Sequence, residues 1–289
     1  MTAPTLPTRE DGAFLVPSRF RDGDDRPRFV LPVPRLSLPD VAIRVLIHQE
    51  RWADGYEAAP RHLFDAHLQP GDVFVDVGAH WGIFSLSAAS RWPGEVSVLA
   101  VEPHPENVCR LMDAVAHNGF RDGVEIVAAA CGERPGFARL RLNTSMGHTI
   151  APWTPIRELP GANLCVPVVT LDDLFAERPH LQGRRVFLKV DVEGAETQVL
   201  AGARALLESG RVHAVMWEHG MAAGDPARRS EAAGWVRALE GLGFTSYHFP
   251  DDAPAPFRLA PLPNLAEGDQ GCNVFSLGPG CPPLQLYGG

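Results

Sequence analysis

The chain lacks the devices that staple or anchor a fold. Its 289 residues hold five cysteines, Cys109, Cys131, Cys165, Cys272 and Cys281. They are scattered, odd in number and never spaced as C-x-x-C. Neither a disulfide framework nor a thiolate zinc site is expected, and the spacing points to reduced thiols in a cytoplasmic protein. No run of about twenty apolar residues is present to span a membrane. The opening residues, MTAPTLPTREDG, are polar, and no apolar stretch of the kind a secretory signal needs comes after them. An excess of positive charge is missing too. With 26 Lys and Arg against 35 Asp and Glu, the formal net charge is -9. A phosphate-neutralising surface for RNA or DNA is therefore not expected. No internal repeat is visible. What remains is a chain long enough for one large α/β domain with extensions.

The most informative stretch runs from Val73 to Gly82, VFVDVGAHWG. An apolar run ends in Asp76, and Gly78 and Gly82 come next, with His80 and Trp81 between them. A helix-like pattern, IFSLSAA, continues the chain, and a second apolar run, residues 96–101, ends in Glu102 and Pro103. Strand, glycine turn, helix and a strand tipped by a carboxylate build a nucleoside pocket at the carboxyl ends of parallel strands. An ionised carboxylate at Glu102 has two acceptor oxygens for ribose hydroxyls. The spacing G-x-x-x-G differs from the G-x-G-x-x-G that seats a pyrophosphate on a helix N-terminus. A ligand with ribose but no pyrophosphate fits better than NAD.

Around this stretch the chain alternates. Residues 1–40 read as an irregular arm with short extended pieces, 41–48 as a strand, and 57–68 as a short helix. Strands are expected at 73–77, 96–101, 124–128, 185–190, 211–217 and 243–249, with helices at 82–91, 105–117, 195–207 and 227–240. This order implies parallel strands and crossover helices. Residues 136–170 interrupt it with two strands, 137–142 and 165–170, and a Pro-, Gly- and Thr-rich stretch between them. A long insertion of this kind is usually a functional loop. Residues 250–270 read as loop. A last strand, 272–277, is expected to pair antiparallel with 243–249 at the sheet edge, and the tail, 279–289, to be flexible. The fold class is therefore α/β, a doubly wound, mostly parallel, seven-stranded sheet with an antiparallel edge strand. Residues 1–68 form an arm and lid region, 69–278 the main domain.

A second dense segment is FLKVDVEGAE, residues 187–196. Its strand ends in Asp191, at the switch point where ligands bind. Asp191 and Glu193 are two apart and face one side if extended. Acids in a first helical turn are also favoured by the helix dipole, an equally good account of Glu196. Lys189, inside an apolar strand, calls for a carboxylate partner. The next strand ends in Glu218 and His219, which would reach the same cleft. Histidine is the usual base near neutral pH.

With these residues in view, the chain resembles the FkbM family of methyltransferases that use S-adenosylmethionine (SAM). The matching pieces are GDVFVDVGAHWGIFS, VLAVEPHPENVCRL, VTLDDL, LKVDVEGAE and VMWEHG, in family-like order over residues 69–219. The resemblance implies a class I methyltransferase fold, SAM as methyl donor, and O-methylation of a sugar, glycolipid or polyketide-type natural product. It also implies that Asp76, Gly78 and Gly82 shape the methionine side of the pocket, that Glu102 holds the ribose, and that Asp191 lies near the methionine amino group. His80 stands where the family usually has Asn, and Trp81 where it often has Ile.

Methyl transfer needs an acceptor oxygen in line with the S–CH3 bond and a route for its proton. Glu193, Glu218 and His219 are the candidates for that proton. Mg2+ could suit an acidic cluster, but no metal-binding spacing supports it. The alternatives left open are a Rossmann oxidoreductase using NAD(P) and a non-catalytic methyltransferase-like scaffold.

Overall fold

The computed structural model describes residues 6–37, 41–141, 149–151, 163–219, 225–249, 258–262, 265 and 273–281. A hairpin of β1 (Phe14–Pro17) and β2 (Val30–Val33) opens the chain, and helices α1 (Val41–Trp52) and α2 (Ala58–His67) come next. The alternating core starts with β3 (Val73–Val77), α3 (Ile83–Arg91), β4 (Ser97–Val101), α4 (Pro105–His117) and β5 (Val124–Val127). Then come β6 (Ala130–Cys131), β7 (Gly136–Arg141), β8 (Thr149–Ala151), β9 (Asn163–Val169) and α5 (Leu171–Ala176). The core resumes with β10 (Val186–Val190), α6 (Glu196–Ala201), α7 (Arg204–Glu208), β11 (Val212–Glu218), α8 (Pro226–Gly241), β12 (Thr245–His248), β13 (Ala260–Pro261) and β14 (Asn273–Leu277).

Eight strands form the main sheet in the order β13-β12-β14-β11-β10-β3-β4-β5. β5, β4, β3, β10 and β11 are parallel. Every residue of β3 and β10 is buried, as expected of parallel strands covered on both faces. Alternate residues divide between two cores. Phe74, Ala100, Phe187 and Met216 pack on one face, against Phe64 and Phe84. Val75, Leu99, Leu188 and Val215 pack on the other, against Leu200 and Leu239.

The α/β, doubly wound class is as expected, with four local corrections. Residues 41–48 are helix, not strand: Ile43, Leu46 and Glu50 are buried while Val45 is exposed, which is helical spacing. Residues 195–207 form two helices. At the break, a Cβ on Gly202 would lie 2.0 Å from the Gly132 carbonyl oxygen, so close packing against that backbone interrupts the helix. β14 does pair antiparallel with β12, but it lies between β12 and β11 rather than at the edge. The margin is instead the two-residue β13, an eighth strand inside the expected loop 250–270. Strands β7, β8 and β9 of the insertion 136–170 join β6, just before it, in a separate sheet of order β6-β9-β7-β8. Residues 142–148 and 152–162 of the insertion, and residues 282–289 of the tail, lie outside the described residues.

Candidate functional site

The first βα turn is built by close approach. Gly78 has φ 77, and a Cβ there would lie 1.8 Å from the Asp191 carbonyl oxygen. The Asp191 N–H donates to the Val77 carbonyl at 3.1 Å. The two acid-tipped strands are thus laced together where the chain leaves the sheet. Gly82, with φ 84, is pressed against Leu111 of α4 rather than the cleft, a Cβ there lying 2.2 Å from Leu111 Cδ1. His80 also has positive φ, 52, a conformation that costs energy in a residue with a Cβ.

Glu102 holds this turn. Its Oε2 accepts from the His80 N–H at 2.8 Å, and its Oε1 from the His104 N–H at 2.8 Å and from Asn107 Nδ2 at 3.3 Å. Trp81 Nε1 donates to Asn107 Oδ1 at 3.2 Å, so the indole is tied to α4 and buried. Burial pushes the Glu102 carboxyl up, against the opposing pull of the His104 and His80 amides and Asn107. A carboxylate offers about four lone-pair positions. With three filled, Glu102 has room for one further donor rather than two.

The acids do not all face the cleft. Asp76 is fully buried beneath it and accepts from the Ser85 N–H at 3.0 Å and the Ser85 hydroxyl at 2.7 Å. Lys189 is the chain's single lysine. Its Nζ donates to the Gly78 carbonyl at 2.9 Å and pairs with Asp76 at 3.4 Å and Asp191 at 3.5 Å. The carboxylate partner expected for Lys189 is therefore present twice. Burial would lower the Lys189 pKa, but Asp191, Asp76 and Glu57 outweigh it and hold the amine charged. Asp191 and Glu193 line the cleft. Glu193 has φ 58, and burial, then Asp191 and Glu196, push its carboxyl up to about 7. Glu196 is structural: its Oε1 accepts from the Val192 and Gly194 amides at 3.1 and 3.0 Å.

Glu218 and His219 line a smaller neighbouring pocket with Gly194 and Arg228, not the cleft itself. Glu218 still reaches the cluster: burial, then Asp191, Glu193 and Glu196, raise its pKa, and once protonated its carboxyl can donate to Asp191. His219 is buried, and neither ring nitrogen has a hydrogen-bond partner among the described residues. Burial, then Arg229, lower its pKa.

The cleft encloses ≈ 870 Å³ of empty space, part of it open to solvent, within the usual range of small-molecule sites. Two sets of wall residues lie outside every motif quoted above. Ala129, Ala130, Cys131 and Leu140 come from the second sheet and its approach, Leu46 from α1, and Tyr56 and Glu57 from the turn that leads into α2. Glu57 carries no spacing signal. The one cue in its vicinity is Gly55, two residues before it.

A family profile described as "Methyltransferase FkbM domain" matches residues 76–246, more than half of the chain. Among curated proteins, the chain is 32% identical over 163 residues to 31-O-demethyl-FK506 methyltransferase FkbM of Streptomyces tacrolimicus, covering 47% of this chain and 60% of that one. It is 31% identical over 173 residues to Methyltransferase 1 of Beauveria bassiana, covering 54% and 66%. The chain thus spans less than two thirds of either relative. Among solved structures, methyltransferase FkbM of Methylobacillus flagellatus superposes with a TM-score of 0.47 at 14% identity, over 76% of this chain and 48% of that one.

Proposed function

Because this chain belongs to the FkbM methyltransferase family, we propose that it transfers the methyl group of SAM to a hydroxyl of a small molecule or glycan, of the sugar, glycolipid or polyketide kind. The observation that carries this is the polarity of the cleft. Glu102, with one free lone pair, stands at one side of the glycine turn, and the Lys189–Asp191 cluster stands at the other. A ligand with a ribose and a charged amino-acid end matches both. The volume fits, and a buried carboxylate oxygen on Glu57 lacks a donor. Among the described residues no group of three His, Cys, Asp or Glu side chains is placed to hold a metal ion. The O-methyl reading also draws on the name of the Streptomyces relative.

When bound, SAM supplies an electrophilic methyl on a sulfonium, so the protein's task is alignment and proton removal. Glu102 orients the ribose and fixes the glycine turn. Asp76 and Lys189 hold β3 and β10 in register beneath it. Asp191 accepts from the methionine end. Glu193 and Glu218, both with raised pKa, are suited to receive the acceptor's proton near neutral pH. His219 stands behind Glu218 and is the reserve candidate. Leu46, Tyr56 and Glu57 of the arm and Leu140 of the insertion line the cleft, and they are the residues from which acceptor selection starts.

Titration calorimetry with SAM, S-adenosylhomocysteine (SAH) and NAD tests the donor. One site for SAM and SAH and none for NAD is expected. Binding of NAD alone would replace this reading with that of an oxidoreductase. A labelled-methyl screen over glycans and secondary metabolites then identifies the acceptor.

A further inference from the structure

The cleft has a wall that none of the strand-end motifs supplies. Glu57 precedes α2 with φ 45 and ψ 49, a left-handed conformation that side chains with a Cβ rarely adopt. It does not cap the helix with its side chain. The carboxylate is turned into the cleft instead. Its Oε2 is shut off from solvent and has no hydrogen-bond partner among the described residues. The preceding residue is gripped from both sides: the Tyr56 N–H donates to Glu50 Oε1 at 2.9 Å, and the Tyr56 carbonyl accepts from Arg61 Nη1 at 2.8 Å. The orphaned oxygen is thus held in place by a buried frame.

Position along the cleft selects its partner. The ribose end is set by Glu102, so the amino-acid end falls at Lys189, Asp191 and Glu57. Carboxylates there outnumber cations. Asp76, Asp191, Glu57 and Glu193 surround Lys189, whose Nζ is already engaged by Gly78, Asp76 and Asp191. Arg61 also acts on Glu57 by charge. Its Nη1 is held by Glu50 and the Tyr56 carbonyl, and it makes no hydrogen bond to the free Glu57 oxygen. What the cluster lacks is a cation whose donors reach that oxygen. An ammonium brings a charge and three donors, whereas a hydroxyl brings one donor and no charge. We propose that Glu57 receives the α-ammonium of the methyl donor's methionine portion, with Asp191 as its second acceptor. This rests on the methyl-transfer reading above. It makes the turn that leads into α2 part of the donor site, not only of the acceptor's.

The test compares two ligands by calorimetry: SAH, which carries the amino-acid end, and 5′-methylthioadenosine, which keeps the nucleoside and thioether but lacks it. Glu57→Gln should weaken SAH by roughly ten- to hundredfold, the range for a hydrogen bond to a charged group, and leave methylthioadenosine nearly unchanged. Glu57→Gly should show the same selective loss without a lower melting temperature, because glycine relieves the left-handed backbone. That variant separates a lost ligand contact from a damaged fold. Wild-type SAH affinity in the glutamine variant, or equal losses for both ligands, overturns the assignment. If the wild-type protein binds neither ligand, the methyl-donor reading itself fails, and this assignment falls with it.

Discussion

Glu50 and Arg61 form an ion pair sealed from solvent on both sides, and each partner also binds the backbone of Tyr56. The pair sits under the ring of Phe20, 4.2 Å from the guanidinium carbon, and Glu50 Oε2 accepts from the Arg19 N–H at 2.7 Å. It therefore joins the N-terminal arm, α1 and α2 into one frame that presents Tyr56 and Glu57 to the cleft.

Removing one partner strands a buried charge, which costs about 3–5 kcal/mol. Arg61→Met should lower stability by that amount, read from the denaturant midpoint. Glu50→Gln combined with Arg61→Met should cost less than the sum of the single changes, because neither charge is left alone. Additive losses would show that the two side chains act independently.

Lys189 ties Asp76 to Asp191 from inside the sheet. Lys189→Met leaves Asp76 buried without its cation and should cost about 3–5 kcal/mol. Adding Asp76→Asn should recover much of the loss. Because the chain has a single lysine, selective labelling gives one side-chain signal. It should show no titration at alkaline pH values where a free lysine deprotonates, since the three nearby carboxylates hold the amine charged.

The strand-end acids were legible in the sequence because an apolar run ending in Asp or Glu has a single geometric meaning in a parallel sheet. Asp76, Glu102, Asp191 and Glu218 are all placed at strand ends by that rule. The rule does not say which way a side chain turns: Asp76 points beneath the cleft, and Glu218 opens to a neighbouring pocket. Residues 41–48 were ambiguous because a short apolar run fits a strand or a buried helix face equally well. Tyr56 and Glu57 left no trace, because their placement depends on a left-handed backbone at Glu57 and on a buried ion pair between α1 and α2 that has no periodic or motif signature. The break at Gly202 and the inserted position of β14 are likewise set by contacts far away in the chain.

Burial and mutual repulsion raise the carboxyl pKa values of Glu57, Glu193 and Glu218 above the ordinary 4.5. The folded chain then keeps protons that the unfolded chain has released. Stability should rise as pH falls from about 8 through about 7, the value for Glu193, and should fall as pH rises. Below about 6.5, His62, His67 and His219, whose pKa values are lowered by burial, oppose the trend, so the rise should flatten. Melting temperatures of the ligand-free protein between pH 5.5 and 8.5 check both limbs. A monotonic rise with pH would contradict the assignment. SAM binding near pH 7 should release protons from these acids, visible as a dependence of calorimetric heat on buffer ionisation.

Glu102 accepts from two backbone amides as well as from Asn107. Glu102→Ala should weaken SAH by about 1.5–3 kcal/mol. It should also lower stability by about 1–3 kcal/mol, the cost of an unsatisfied buried donor. Glu102→Gln keeps one acceptor oxygen and should fall between the two in both measurements. Unchanged affinity in a folded alanine variant would place the ribose elsewhere.

Glu193 lines the cleft, while Glu218 reaches Asp191 from the adjoining pocket. A carboxyl near pKa 7 is balanced between holding and releasing a proton at neutral pH, which suits a base. Once a labelled-methyl screen has supplied an acceptor, Glu193→Gln should lower turnover by at least about tenfold, within the contribution of a general base. SAH affinity should change far less, because the nucleoside side of the cleft is built by Glu102 and the glycine turn. Glu218→Gln should act more weakly unless the proton passes through Asp191, in which case the two variants should match. His219 is buried behind Glu218, and a buried imidazole with a lowered pKa is neutral near pH 7. His219→Gln should therefore leave the neutral-pH rate close to wild type. If both glutamate variants turn over at the wild-type rate and the His219 variant does not, the base is the histidine, and the pocket it shares with Glu218 must open to the acceptor.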